Sequence, residues 1–282
     1  MFSQSISANK LTDSKILEEF FDESVDFLHH SWITDWVGIP FVLDICIDFL
    51  GLGLNDIPDD AKYLIAAARK VALESENLYK FSPESEPKYH NRLHTAQVVT
   101  AIAIQIYIES SLIKNLDASW ASAALLLAVG HDFKHTGRVN SFESEIEINS
   151  FNCFHPILVE SKVDEKWIQV IHKTMLASDF SIVKYNHLKV TGKIFSWNED
   201  WLAVLLNESD VMASTISSHS QYLSDLLLQE WKLINFPAYK TVATHAGRQL
   251  FLKALQFTSP SSYILNVHGR ILAQLDDLHG TP

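Results

Sequence analysis

The sequence predicts an all-α protein, on three observations. Apolar residues recur at helical spacing along most of the 282-residue chain. No run of alternating polar and apolar residues marks a half-buried strand. Nine glycines and eight prolines are too few for a sandwich or barrel rich in tight turns. We therefore expect a compact bundle made of many helices.

Most of the expected helices have one apolar face and begin at a polar residue suited to cap them. Thr12 or Asp13 can cap the first helix, and Asp117 can cap a later one. Pro260 lies in a short turn before the last helix. The amphipathic segments expected to be helical are 11–32, 59–81, 164–179, 199–216, 220–234, 245–257 and 259–278.

Three further segments are apolar enough to lie in the protein interior. Residues 94–110 and 117–132 are apolar almost all round, which is typical of helices without a solvent-facing side. Residues 37–54 approach the length of a membrane span, but they contain Asp44 and Asp48 near their middle. Because two carboxylates at bilayer depth are costly, we predict a buried helix there and no membrane span.

The net charge of −12 restricts the partners that the surface can attract. Affinity for DNA or RNA comes mostly from basic side chains on phosphates, so we expect no nucleic acid polymer as a partner. A small anion beside bound cations is compatible with an acidic chain, because the cations reverse the local field.

The two cysteines indicate a reducing compartment. Cys46 and Cys153 lie among apolar residues and form no disulfide framework, so we expect two buried thiols. The first residues of the chain lack the basic start and apolar stretch of a secretory signal. Together these observations favour a cytoplasmic protein.

Metal-binding residue types are concentrated in two short stretches. His90 and His94 are four residues apart, a spacing that places both imidazoles on one face of a helix. His131 and His135 repeat this spacing, and Asp132 adds a carboxylate beside the first of them. Since a lone histidine on a helix is usually structural, none of these residues indicates a metal site by itself.

A carboxylate farther along the chain completes a ligand set. Asp210 lies late in an otherwise apolar helix, where an unpaired polar group would be costly. Imidazole nitrogens and carboxylate oxygens suit Zn²⁺ and similar cations. Asp132 has two oxygens and can bridge two ions, and a pair of ions about 4 Å apart can clamp a phosphate. The coincidence favours a metal site over several unrelated structural residues.

These residues also form ordered motifs that resemble those of a known family. The chain contains Y-H-N-x-x-H at 89–94, H-D-x-x-H-x-G-x-x-N at 131–140 and the late Asp210. Phe142 completes an N-x-F motif, and M-L-A-S-D-F-S at 175–181 is similar to the family's L-A-T-D-M-S. The chain thereby resembles the HD-domain metal-dependent phosphohydrolases, and within them the class I cyclic nucleotide phosphodiesterases.

The resemblance implies a role for each matched residue. Asp132 would bridge a first metal ion, zinc or else iron or manganese, to a second ion, magnesium or manganese. His90 would be the general acid, and His135 would orient a catalytic water. The ligands of the first ion would be His94, His131, Asp132 and Asp210.

Supporting and substrate-binding residues are assigned by the same resemblance. Asn91 and a downstream carboxylate would brace the ligands from behind. Asp179 and Gln249 are the candidate substrate contacts, although the family's purine-binding Q-x-x-F has Leu252 at its last position here. Gln97 stands where the family has an aspartate. For the downstream carboxylate we select Glu160, with Glu143, Glu145 and Glu147 as competitors.

The resemblance implies a catalytic HD/phosphodiesterase-type bundle at residues 61–282. Residues 1–60 show no match to the family, and we expect them to form a helical extension packed on this bundle. The resemblance also implies hydrolysis of a small phosphodiester, first of all a 3′,5′-cyclic nucleotide, by hydroxide held between two metal ions. A homodimer is compatible with the sequence. The alternatives are another nucleotide or phosphorylated metabolite as substrate, an HD-type oxygenase with two irons, or a non-catalytic module that binds a ligand or a protein. The complete set of ligands favours an enzyme.

Overall fold

Helices make up all the regular structure of the computed structural model, which describes residues 13–53 and 56–280. The prediction of an all-α fold is confirmed, and these ranges contain no strand. Short 3-10 turns lie at Pro83–Ser85, Ala213–Thr215 and Pro237–Lys240. The α-helices are α1 (Ser14–Thr34), α2 (Ile39–Phe49), α3 (Asp59–Lys80), α4 (Arg92–Ile113), α5 (Ala118–Gly130), α6 (Glu145–Glu160), α7 (Glu165–Leu176), α8 (Val183–Val190), α9 (Glu199–Met212), α10 (Ser217–Leu233), α11 (His245–Ala254), α12 (Pro260–Ile264) and α13 (Val267–Gly280).

Two predicted caps are present at helix starts. The Asp13 carboxylate accepts the backbone N–H of Lys15 at 2.9 Å and begins α1. Asp117 accepts the N–H groups of Ser119 and Trp120 and begins α5. Each cap satisfies donors that a helix start leaves without partners. The alternative cap Thr12, with the first part of the predicted extension, lies outside the described residues.

Helix α4 is the centre of the bundle. It packs against α1, α2, α5 and α9, and its side chains are buried on every face, as the apolar sequence predicts. Of the described helices, α4 alone is long and apolar enough to cross a membrane, but 78% of its apolar window is buried inside the fold. A core helix passes the same test of length and composition, and α4 is such a helix.

Residues before α3 contribute to the same core. Helix α2 lies against α3 and α4, with Leu43 and Ile47 fully buried. Asp44, which argued against a membrane span, reaches Arg69 at 2.7 Å. The structure thus places α1 and α2 on the bundle, while the boundary at residue 60 stays a prediction.

Two helices were not expected from the sequence, and one prediction about the cysteines is wrong. Helix α6 contains Pro156, which obscures a helical pattern because proline removes a backbone donor. Helix α8 is only eight residues long. Cys46 is buried, and burial raises the pKa of its thiol to about 12. Cys153 is exposed, because α6 turns the adjacent Phe154 to the core.

Truncation in helix α5 tests this packing. We expect Leu126→Ala to lower the free energy of unfolding by about 2–5 kcal/mol, since it leaves a cavity at a fully buried position. The matched control Leu112→Ala on α4 removes a side chain that is 51% exposed, and should cost under about 1 kcal/mol. Denaturant unfolding followed by circular dichroism measures both; equal losses would contradict the described core.

Candidate active site

The start of α4 presents the first two histidines. Asn91 caps the helix by accepting the N–H of His94 at 3.0 Å, while its amide donates to the Lys88 carbonyl at 2.7 Å. The helix therefore begins at Arg92, after His90. The prediction that His90 and His94 share one helical face is wrong for this reason. His94 lies in the first turn of α4, and His90 lies in the segment that leads to it.

The end of α5 presents the second pair of residues. The N–H of His131 donates to the Leu127 carbonyl at 2.8 Å, and Asp132 follows in a turn. His131 Nδ1 lies 2.9 Å from the Ala128 carbonyl, which can only accept, so Nδ1 carries the proton. Its Nε2 is left with a lone pair, the form that binds a metal.

Four side chains from three elements converge on one point. Helix α9 packs against α4 and brings Asp210 to the two histidines. His94 Nε2 lies 3.0 Å from Asp210 Oδ1 and 3.3 Å from Asp132 Oδ2. His131 Nε2 lies 3.2 Å from Asp132 Oδ2, 3.6 Å from Asp210 Oδ1 and 3.4 Å from His94 Nε2. All four residues named by the sequence as ligands are therefore brought together.

This donor set fits a divalent cation. Ligand atoms held about 2.0–2.1 Å from one ion in a tetrahedral site lie about 3.3–3.4 Å apart, close to the separations found here. Asp132 Oδ2 is buried and has no hydrogen bond of acceptable geometry, although two ring nitrogens lie near it. Two imidazole nitrogens with two carboxylate oxygens form a donor set suited to zinc or a similar ion.

The charges at the cluster also favour a bound cation. Burial opposes a charge on His94 and His131, but the Asp132 and Asp210 carboxylates outweigh it and raise the pKa of both imidazoles. Burial would raise the pKa of the two carboxyl groups, but the facing imidazoles hold the pKa of each below its usual range. A bound cation supplies the same positive charge without extra protons.

A second group of side chains lies beside the first and is organised by Glu230. This residue of α10 is 2% exposed. Its carboxylate lies 2.5 Å from His90 Nδ1 and accepts the N–H groups of Tyr89 at 2.7 Å and His90 at 3.2 Å. Burial opposes a charge on His90, but the Asp132 and Glu230 carboxylates outweigh it and raise the pKa of His90 to about 9.

His135 stacks on His90 and has the opposite character. The ring centroids are 3.9 Å apart. The N–H of Gly137 donates to His135 Nδ1 at 3.0 Å, so a neutral His135 carries its proton on Nε2. Burial, together with the charge on His90, lowers the pKa of His135 to about 4. One imidazole of the pair is thus charged at neutral pH and the other is not.

Gly137 is required for this arrangement. Its φ of +71° lies in the region that favours glycine. A Cβ at this position would lie 3.0 Å from Cγ of Glu230. The glycine of the H-x-G motif therefore allows the chain to pass Glu230 closely while its N–H sets the tautomer of His135.

His90, His135 and Glu230 could also be read as three metal ligands, since one donor atom of each lies within 4.8 Å of the others. Hydrogen bonding argues against that reading. His90 Nδ1 is already bound to Glu230, and His135 Nδ1 accepts from Gly137. The group is better suited to hold a proton at His90 than to bind a cation.

Three residues selected from the sequence lie away from the metal cluster. Glu160 extends from α6 to Lys70 at 3.3 Å and is mostly exposed. Asp179 is buried, and its oxygens accept from Ser144, Asn140 and Ser181, which ties the 140–144 loop to the turn after α7. Gln249 lies on α11 with its amide 3.3 Å from His279 on α13. None of the three lines the cavity described below.

Among the four competing carboxylates, Glu147 faces the site. It accepts from Asn140 at 3.0 Å, and burial with the nearby Asp179 and Asp132 raises its pKa. Glu145 instead accepts from Ser141 and pairs with Arg138. The sequence reasoning named Glu147 only as a competitor, because spacing along the chain does not show which carboxylate of α6 points inward.

A cavity of about 340 Å³ opens beside Asp210. The residues that line it include Phe180, Asn207, Gln256, Lys184 and Lys253. It falls within the range of small-molecule sites, roughly 300–1,000 Å³. The metal cluster and this cavity share Asp210, so one ligand can contact both.

Sequence reasoning missed Glu230, Gln256 and the two lysines of the cavity. Glu230 is followed by a tryptophan in an amphipathic helix and is 140 residues from His90, so no local spacing connects the two. Gln256 follows Gln249 by seven residues, and a search for any glutamine after α11 begins would have found it.

Comparison with known proteins adds a family relationship. Residues 89–172 match the model of the family described as 3'5'-cyclic nucleotide phosphodiesterase. The chain is related to the class I cyclic nucleotide phosphodiesterases. The match supports a phosphodiesterase hydrolase, a metal-dependent class of enzyme for which the His/Asp cluster provides ligands. It covers His90, His94, His131, Asp132 and His135 but ends before Asp210. No curated protein matches the chain.

Metal binding tests the cluster directly. We expect chelator-treated protein to bind Zn²⁺ and to gain thermal stability, because the ion binds the folded chain only. Asp210→Asn removes one negative charge and one ligand, and should weaken binding at least about tenfold. The control Glu160→Gln alters an exposed carboxylate and should bind as the wild type does. Titration calorimetry with thermal unfolding measures both effects; equal affinity in the Asp210 variant would contradict the site.

Proposed function

We propose that the protein hydrolyses a 3′,5′-cyclic nucleotide to the 5′-monophosphate, using two divalent metal ions. The observation that carries this proposal is the pairing of a four-ligand His/Asp cluster with a protonated His90 held by Glu230. The family match over 89–172 supports it.

The cluster would provide protein ligands to both metal ions. His94, His131, Asp132 and Asp210 would hold the first ion, and Asp132 would also contact the second. Bound ions of this kind polarise a phosphoryl oxygen and supply a nucleophilic hydroxide at neutral pH. We infer zinc, iron or manganese for the first ion and magnesium or manganese for the second, since the first has nitrogen and oxygen donors.

His90 would protonate the leaving O3′ from Nε2. Its other nitrogen, Nδ1, is bound to Glu230 at 2.5 Å, and a general acid needs one ring nitrogen fixed and the other free to face the substrate. Bound cations would offset the charges of Asp132 and Asp210, so Glu230 is the partner that keeps His90 protonated in the working site. The stacked, neutral His135 has an N–H on Nε2 with which it can orient a water.

The cavity would bind the nucleoside end of the substrate. Phe180 is 61% exposed and lines this space, so its ring is available to stack on a base. The side-chain amide of Gln256, which lines the same space, offers hydrogen bonds to a base edge. Gln256 lines this cavity and Gln249 does not, which supports Gln256 as the glutamine that would contact a purine.

Hydrolysis assays test the proposed function. We expect metal-loaded wild type to convert cAMP or cGMP to the 5′-monophosphate, and Asp210→Ala to abolish turnover by removing a ligand. His90→Ala should lower kcat by about 10²–10⁴-fold while zinc binding is retained, because only the proton donor is lost. Chromatography of the products measures turnover, with bis-p-nitrophenyl phosphate and a 5′-nucleotide as comparison substrates.

The outcomes separate the alternatives. Hydrolysis of bis-p-nitrophenyl phosphate or the 5′-nucleotide without cAMP or cGMP would leave the metal site intact and exclude a cyclic nucleotide as substrate. Absence of all turnover in metal-loaded protein would favour a ligand-binding module.

The pH profile tests the role of Glu230. Burial of His90 disfavours the imidazolium, and loss of the Glu230 charge removes the partner that offsets this effect. Glu230→Gln should therefore lower the pKa of His90, so that kcat falls at a lower pH on the alkaline side than in the wild type. Glu160→Gln should leave the profile unchanged. An unshifted alkaline limb in the Glu230 variant would show that this residue does not hold the proton on His90.

A further inference from the structure

Two lysines line the cavity beside the metal cluster. Lys184 belongs to α8, and Lys253 belongs to the last turn of α11. Asp210 is the only carboxylate among the residues that line this space. As a metal ligand, Asp210 would have its charge offset by the ion, which leaves the cavity with two positive charges in a chain of net charge −12.

Neither lysine has a carboxylate partner among residues 13–53 and 56–280. Lys189, five residues after Lys184 on α8, pairs with Asp200 at 3.6 Å, and Lys173 on α7 pairs with Glu199. These two lysines thus have acidic partners, whereas the two that line the cavity have none among the described residues. Both cavity lysines are exposed, so their ammonium groups are solvated and free to pair with an anion that enters the cavity.

The two walls that carry these lysines are tied to each other. His187 of α8 is bound through Nδ1 to the Thr258 hydroxyl at 2.7 Å. The buried Glu208 accepts the N–H groups of Thr258 at 2.5 Å and Ser259 at 2.8 Å, which fixes the segment after α11 to α9. Asn186 donates to Asn207 at 3.1 Å and fixes α8 to the same helix. Hydrogen bonds therefore fix α8 and the segment after α11, which carry or adjoin the two lysines, to each other and to α9.

We propose that this cavity selects a substrate that carries a second phosphate group besides the phosphodiester that is cleaved. The inference rests on the proposed function, since it assigns the substrate class at the same site. Lys184 and Lys253 would bind the second phosphate, and Phe180 would stack on the base. A cyclic dinucleotide and a cyclic nucleotide with an additional phosphomonoester share this chemistry, and the experiment distinguishes them.

Binding to the full chain supplied with Zn²⁺ and Mg²⁺ gives the first measurement. We expect adenosine 3′,5′-bisphosphate to bind about five- to tenfold more tightly than 5′-AMP in low salt, because exposed ion pairs are individually weak. The ratio should fall toward one in the double variant Lys184→Gln/Lys253→Gln and as ionic strength rises. The control Lys193→Gln changes an exposed lysine that does not line the cavity, and should keep the wild-type ratio.

Kinetics give the second measurement. A kcat/KM for cyclic di-AMP above that for cAMP, lost in the double variant, identifies a second phosphodiester. Tighter binding of the bisphosphate without preference for cyclic di-AMP identifies a phosphomonoester. Equal binding of the bisphosphate and 5′-AMP, or a ratio that the double variant leaves unchanged, overturns the proposal. Failure of the proposed function is distinct, since it would abolish turnover of every substrate while leaving the binding ratio and its dependence on the lysines measurable.

Discussion

The convergence of acceptor atoms at the His/Asp cluster is the constraint on which the site depends. Asp132 Oδ2, Asp210 Oδ1 and the Nε2 atom of His131 meet at separations of 3.2 and 3.6 Å, and none of them brings a proton in its ordinary state. Such a group is unfavourable in a protein interior unless positive charge is added. The packing of α4 against α5 and α9 holds the atoms there, so the free energy of core packing maintains a site prepared for cations.

The carboxylates around the cluster also give the neighbouring imidazoles of His90 and His135 different protonation states. His90 and His135 stack at 3.9 Å, and two adjacent imidazolium groups would repel each other. Glu230 lies on His90, while a backbone N–H occupies His135, so the proton has one favourable location. Pairs of titratable groups whose pKa values are driven apart are a mark of acid–base catalysis. Here Glu230 acts on His90 and the N–H of Gly137 acts on His135, and these two residues are distant in the chain. Position 137 must be glycine because the chain passes close to Glu230 there.

Local patterns predicted the part of this protein that local interactions determine. Helical periodicity and the cap at Asp117 located most helices, and short motifs located the ligands, because neighbours within a turn decide both. The position of His90 was misjudged because Asn91 caps α4, so the helix begins at Arg92 and His90 lies before it. Glu230 was missed because only tertiary packing brings this residue of α10 to His90, and the choice of Gln249 as a substrate contact stays a prediction.

The family match and the cavity lining occupy different parts of the sequence. The match to the phosphodiesterase family ends at residue 172, and every residue that lines the cavity comes after it, from Ser178 to Gln256. Three of the four cluster ligands, His94, His131 and Asp132, lie inside the match, whereas Asp210 and Glu230 lie outside it together with the cavity lining. His187, Thr258 and Glu208 link those walls by hydrogen bonds, with Glu208 two residues from Asp210 on α9. Asp210 is the one cluster residue among those that line the cavity, so a substitution at any other lining residue changes the walls without replacing a ligand. The family relationship alone therefore does not fix the substrate.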